Sequence, residues 1–259
     1  MAIPETGRGI NIEALSYPSP KTNEELVKLL DENFRLVREK SLIVLPEYFL
    51  KGEDAFQGKS IDDPMVMTLI NFAETKGAHI VAGMIEQTDS GEKYVAGLFI
   101  SPNGLIDKQR KQTPTSFERS SGIIPGSEGT RVFNLEGIQG TLSIAMCIES
   151  FRLDKQLRDL SSEIFVNPRG FDLDDPKYGH LSQKWLSHNQ DLAMMGKRFV
   201  VGATGFGGKP GSLAEIIDFE GNVLVQTPLA GDKISAFANL YLLREYREGR
   251  YQSITVPRF

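Results

Sequence analysis

Thr141-Leu142-Ser143-Ile144-Ala145-Met146-Cys147-Ile148-Glu149-Ser150 is an apolar run that ends in the chain's one cysteine and then turns polar. The pattern predicts a core-facing strand that presents Cys147 at the carboxyl edge of a sheet, where α/β folds keep their chemistry. Taken alone, a thiol in an apolar strand is ordinary core, since free cysteine is among the most buried residue types. Whether Cys147 is core or nucleophile therefore depends on the other strand ends.

Working outward, residues 41–45 form a short continuous apolar run, the mark of a strand covered on both faces, and Pro46-Glu47 stops it. Before it, Thr22 and Glu25 make a capping box, with Leu26, Leu30, Phe34 and Val37 on one helical face. After it, Asp63 as cap, Pro64 at the first helical position and Gly77 as terminator bracket a second helix ahead of a strand over 79–84. Residues 94–101 with 105–111, and 130–134 with 141–147, read as hairpins around Gly104 and around Gly137 and Gly140. The second half repeats the mixture. It has a helix near 153–160, a strand at 164–166, a long helix around 181–195, and strands at 199–204, 212–218 and 223–226. From Tyr241 onward the Arg- and Tyr-rich tail reads as peripheral, suited to packing on a partner subunit. With no linker, repeat or low-complexity stretch, residues 1–259 read as a single domain.

Composition narrows the function. The 259 residues are 40% hydrophobic and 24% charged with net charge -5, and no basic stripe exists to displace counterions, so no nucleic-acid partner is expected. No run approaches a membrane span and Met1 to Gly9 has no signal core; an unpaired thiol suits a reducing cytoplasm, so a cytoplasmic protein without membrane contact is expected. The partner is expected to be a small molecule.

Several motifs fail. Gly205-Phe206-Gly207-Gly208-Lys209-Pro210 lacks the first glycine of a phosphate loop and has proline where Ser or Thr must follow the lysine. There is no Gly-x-Ser-x-Gly elbow, and one cysteine with His79, His180 and His188 gives no metal-ligand spacing, so neither metal nor cofactor is expected. None of the three histidines has a context that would pair it with Cys147.

The strand ends supply other groups. Glu47 follows a buried run, where a carboxylate is costly unless paired or used, and Lys111 ends another strand. A carboxylate, an ammonium and a thiol at three strand ends make a set for amide chemistry. With Leu42 to Glu47, Leu105 to Lys111 and Leu142 to Glu149 in that order, the chain resembles the carbon-nitrogen hydrolase, or nitrilase, superfamily. The resemblance extends through Glu118, Pro125-Gly126, Asn167-Pro168, Trp185 in the long helix, and Gly211-Ser212 before Ile216 to Gly221. It departs at Gln109, at Ile148-Glu149-Ser150 and at Met194-Met195-Gly196.

The resemblance implies a four-layer α-β-β-α sandwich of two mixed β-sheets, and a homodimer or larger homo-oligomer. It implies that Glu47 is the general base, Cys147 the nucleophile, and Lys111 with the Ile148 N–H the oxyanion donors, with Glu118 orienting Lys111 or substrate. Tyr48, Asn167, Arg169, Phe171 and Trp185 are expected to line the pocket, with Arg169 either on a substrate carboxylate or in an exposed salt bridge. The favoured activity is hydrolysis of a small aliphatic amide to acid and ammonia through a thioester. Nitrile hydrolysis, acyl transfer from the same site, and a noncatalytic binding protein on the same fold are the alternatives.

Overall fold

The computed structural model describes residues 9–51, 56–104, 106–170, 181–205, 214–227 and 232–250. The first part of the chain runs β1 (Ile10–Leu15), α1 (Asn23–Phe34), β2 (Leu42–Val44), α2 (Pro64–Lys76), β3 (His79–Gln87), β4 (Lys93–Ile100), β5 (Ile106–Arg110). A short helix α3 (Ser116–Ser120) leads into β6 (Val132–Asn134) and β7 (Thr141–Ile144). Then come α4 (Glu149–Arg152), α5 (Asp154–Asp159), β8 (Ile164–Arg169), α6 (Leu181–Gly196) and β9 (Phe199–Thr204). The last elements are β10 (Ala214–Ile217), β11 (Val223–Thr227), β12 (Lys233–Ala238) and α7 (Leu240–Arg247).

Twelve strands form two six-stranded sheets, ordered β12-β1-β2-β3-β4-β5 and β11-β10-β9-β8-β7-β6. Both follow one plan. Three parallel strands (β1, β2, β3 and β7, β8, β9) are joined by helical crossovers, and two antiparallel strands follow on one side. A further antiparallel strand, β12 or β6, closes the opposite edge. Burial on both faces explains the unbroken apolar runs. Leu42 and Val44 face the other sheet among Leu142, Ile144, Val166 and Val201, while Ile43 and Leu45 face the helix side with Leu26, Leu30 and Leu69. On the second sheet, Phe165 and Val200 meet Leu157 and Leu192 of α5 and α6. The order helix, sheet, sheet, helix is the expected four-layer sandwich.

The helix ends follow their sequence signals. Thr22 accepts from the Glu25 N–H at 3.2 Å, but Glu25 reaches back to the Lys21 N–H rather than that of Thr22, so the box closes one residue early. Val37 lies beyond the end of α1 and still packs against the same core cluster. Asp63 caps α2, and Gly77, at φ 59, ends it in the left-handed conformation that favours glycine.

Two expectations are corrected, and two strands without a clear sequence signal are added: β1 and β12 pair with each other across the length of the chain. The segment after Tyr241 is not peripheral as far as Arg247: α7 buries Leu240 and Leu243 in the inter-sheet core, and Arg244 pairs with Glu163 at 2.6 Å. β7 ends at Ile144, so Cys147 stands in a turn at φ 49, a left-handed backbone that no strand can contain. Among the described residues no helix is long and apolar enough to cross a membrane.

Candidate active site

Beyond β2 the chain stays against β3: the Gly83 N–H donates to Pro46 O and the Leu50 N–H to Gly83 O. This close approach requires glycine, because a Cβ at position 83 would lie 2.5 Å from the Glu47 Cα. Tyr48 then turns the chain at φ 56, which leaves Glu47 almost fully buried at the strand end.

Lys111 extends the β4–β5 ladder by one residue, with its N–H on Val95 O and its carbonyl taken by the Gly126 N–H. Pro125-Gly126 thus fixes the lysine backbone, and only glycine fits there, since a Cβ at 126 would lie 2.6 Å from that of Arg110. The Lys111 ammonium donates to Glu47 Oε1 at 2.9 Å and Glu118 Oε1 at 2.7 Å, all three side chains about 1% exposed or less. Glu118 is also the third residue of α3. Thr115 accepts from its N–H and its carboxylate accepts from the Thr115 N–H, a full capping box. The Tyr48 hydroxyl donates to Glu118 as well.

Cys147 arrives from the other sheet. Its N–H donates to Pro168 O at 2.8 Å, and the Asn167 amide donates to the carbonyls of Ala145 at 2.8 Å and Cys147 at 3.4 Å. Trp185 and Ile148 pack on the thiol. Among the described residues no backbone carbonyl accepts the N–H of Ile148, the residue that follows the thiol.

One ammonium faces two carboxylates and a thiol, so a proton must be shared. Burial pushes Glu47 up to about 7 even though Lys111 opposes the shift. Burial and the Glu47 charge raise the Cys147 thiol to about 12, while Lys111 and the Gly170 N–H favour the thiolate. Burial also works against the Glu118 charge, but Lys111 and the bonds from Tyr48 and Thr115 win and hold it below the usual carboxylate range. Burial likewise opposes the Lys111 charge, yet Glu47, Cys147 and Glu118 keep it above the ordinary lysine range. The two carboxylates are thus pushed in opposite directions, Glu118 toward the ionised form and Glu47 toward a pKa near neutrality.

The remaining candidates divide. Tyr48, Asn167 and Trp185 adjoin the cluster as described above, and Phe171 lies outside the described residues. Arg169 is not in an exposed salt bridge: it is buried, donates to Glu215 Oε2 at 2.5 Å, and stands over the Trp185 ring. The alternation of β8 puts it on the helix-facing side with Phe165, where an internal carboxylate on β10 answers it. Glu118 was expected beside Lys111, and the capping signature Thr115-Ser116-Phe117-Glu118 that ties it to a helix start was legible in the sequence. One residue was missed. Glu149, seen only as a departure from the family pattern, is buried and accepts from the Gln112, Thr113 and Met146 N–H groups. Of the histidines, His79 opens β3 at the far end of the sheet, where burial pushes it down to about 4, and His188 stacks on Phe151. Among the described residues no three His, Cys, Asp or Glu side chains cluster as metal ligands would.

Known proteins carry the same architecture. The chain is 28% identical to the nitrilase blr3397 of Bradyrhizobium diazoefficiens over 162 residues, 59% of this chain and 46% of that protein. It spans less than half the length of the curated relatives it matches. In three dimensions it is similar to XC1258 of Xanthomonas campestris, a CN-hydrolase superfamily protein with an arsenic adduct in its active site. The TM-score there is 0.78 at 16% identity, covering 96% and 99% of the two chains. It is also similar to a double mutant of the Nesterenkonia sp. AN1 amidase in complex with acrylamide, with TM-score 0.73 at 15% identity over 96% and 98% of the chains. These two likenesses concern the fold. The family model for carbon-nitrogen hydrolases matches residues 16–247, nearly the whole chain, and with Glu47, Lys111 and Cys147 gathered at its strand ends the chain belongs to the carbon-nitrogen hydrolase family.

Proposed function

We propose that the chain hydrolyses a small aliphatic amide to a carboxylic acid and ammonia through a thioester on Cys147. The observation that carries this reading is the buried Glu47–Lys111–Glu118 cluster beside the chain's one thiol. Glu47 takes the thiol proton as the sulfur attacks the carbonyl carbon, because the thiolate is the nucleophile and a buried thiol near 12 is protonated at rest. The oxyanion forms against Lys111 Nζ and the Ile148 N–H, and each such donor is worth about 3 kcal/mol of barrier. Glu47 returns the proton to the leaving nitrogen, ammonia departs, and the same carboxylate then activates the water that opens the thioester.

Acrylamide in the Nesterenkonia neighbour supports a small amide, and the nitrilase relative makes nitriles the second class to assay. A homodimer or larger homo-oligomer in a reducing cytoplasm belongs to the same proposal, and native mass spectrometry checks its assembly. The test is ammonia release from a panel of amides, carbamoyl amines and nitriles by wild type and Cys147→Ala, with intact mass for an acyl adduct. Cys147-dependent ammonia with an adduct is expected, and the best substrate assigns the branch. No turnover and no adduct from folded protein would sink the hydrolase reading and leave the noncatalytic one.

A further inference from the structure

The two oxyanion donors come from different sheets: Lys111 follows β5, and Ile148 follows β7. No hydrogen-bond ladder runs between sheets, so side-chain packing alone would have to fix their spacing. α4 supplies a direct tie. Its first residue, Glu149, is about 1% exposed, and its carboxylate spans the two segments. Oε1 accepts from the Gln112 N–H and, at 3.2 Å, from the Thr113 N–H, immediately after Lys111. Oε2 accepts from the Met146 N–H at 3.3 Å, immediately before Cys147. The last residue of α4, Arg152, donates to the carbonyls of Thr113 at 2.8 Å and Pro114 at 3.3 Å. One helical turn therefore holds donors and acceptors of the segment that follows Lys111, and the residue preceding that turn is Ile148.

The chemistry of position 149 is restrictive. Only a carboxylate offers acceptors on both oxygens; a glutamine would turn its NH2 against the N–H of one segment or the other. Among the described residues no cation forms an ion pair with Glu149; burial pushes its carboxyl above the usual carboxylate range, while the Gln112, Met146 and Thr113 N–H groups and the Lys111 charge favour the ionised form.

We propose that Glu149 and Arg152 are positioning residues that set the spacing between Lys111 Nζ and the Ile148 N–H, and hence the shape of the oxyanion site, while leaving thiol activation by Glu47 untouched. The inference rests on the hydrolase mechanism proposed above. Its test compares two reactions of Cys147 in wild type, Glu149→Gln and Arg152→Ala. Amide hydrolysis passes through an oxyanion. Alkylation by iodoacetamide does not: the sulfur forms a bond to the methylene carbon, iodide leaves with the bonding pair, and the thiol proton goes to Glu47 and then solvent.

Glu149→Gln is expected to lower kcat by roughly 10²-fold, the size of losing one oxyanion donor, with KM within about threefold and alkylation within about twofold of wild type. Arg152→Ala, at an exposed position, is expected to lower kcat about fivefold with alkylation unchanged, and it carries the test if Glu149→Gln fails to fold. The proposal is overturned if kcat is unchanged in the folded variants. It is equally overturned if alkylation falls in step with kcat, which would mean a general collapse of the site. A wild type with no turnover takes down the hydrolase mechanism itself, and this inference with it.

Discussion

The sheet of β12 and β1 to β5 and the sheet of β6 to β11 share one strand plan, yet the buried charge clusters they carry at the Arg169–Glu215 pair and at Lys111 differ. On β8 and β10 of the second sheet the cluster is closed. Both oxygens of Glu215 are taken, by Arg169 at 2.5 Å and Asn189 at 2.7 Å. Gly202 between them leaves room, since a Cβ there would lie 2.3 Å from Glu215 Oε1 and 2.4 Å from Arg169 Nη2. In the first sheet the cluster is open: one ammonium serves two carboxylates, and among the described residues Glu47 Oε2 has no hydrogen-bond partner. Saturation is what a structural ion pair needs, because a buried charge without partners is costly. An unsaturated carboxylate held beside a thiol is what proton transfer needs. The same scaffold thus carries a saturated ion pair within one sheet and, where strand ends of both sheets meet, an unsaturated carboxylate beside the thiol.

The largest test of that contrast is Cys147→Ala, which is expected to cut amide turnover by more than about 10⁴-fold, as loss of a nucleophile does, while the melting temperature stays near wild type. Next, Glu47→Gln should lower kcat/KM by about 10³-fold, within the range of general-base loss, and leave urea unfolding little changed because Lys111 keeps Glu118. Arg169→Met should do the reverse. Stranding Glu215 is expected to cost about 3–5 kcal/mol in urea unfolding, and Arg169→Met/Glu215→Leu should recover most of it. If Arg169→Met is as stable as wild type, the closed pair is not a staple and the comparison fails.

The smallest effect is in pH. Glu47 titrates at about 7 and accepts the thiol proton only when ionised. The kcat/KM profile should therefore rise with pH through that value, falling about tenfold for each unit below it, and the acidic limb should vanish in Glu47→Gln. Lys111, held above its ordinary range, adds no limb near neutrality.

Where a signal is local, the sequence carried it. The Asp63-Pro64 start and Gly77 end of α2 are backbone preferences of single residues, and Glu47, Lys111 and Cys147 are marked by apolar runs that stop at polar side chains. β1 was not legible, because Ile10, Ile12 and Ala14 are too short an alternation to stand alone and its partner β12 lies more than two hundred residues away. α7 was misjudged for the same reason, since its apolar face becomes visible only when the groove that receives Leu240 and Leu243 exists. Arg169 reads from sequence as a pocket residue or an exposed salt bridge, because nothing in its neighbourhood announces Glu215, 46 positions later.

The sequence by itself determined the alternation of strands and helices, the family resemblance, and the placing of Glu47, Lys111 and Cys147 just after apolar runs, because periodicity, caps and motif order are properties of neighbouring residues. The tertiary structure alone decided that Cys147 sits in a left-handed turn, that burial raises Glu47 while Glu118 is held down, and that Arg169 pairs with Glu215. Those outcomes depend on desolvation and on charges brought together from distant strands, and both come into being only when the two sheets close on each other.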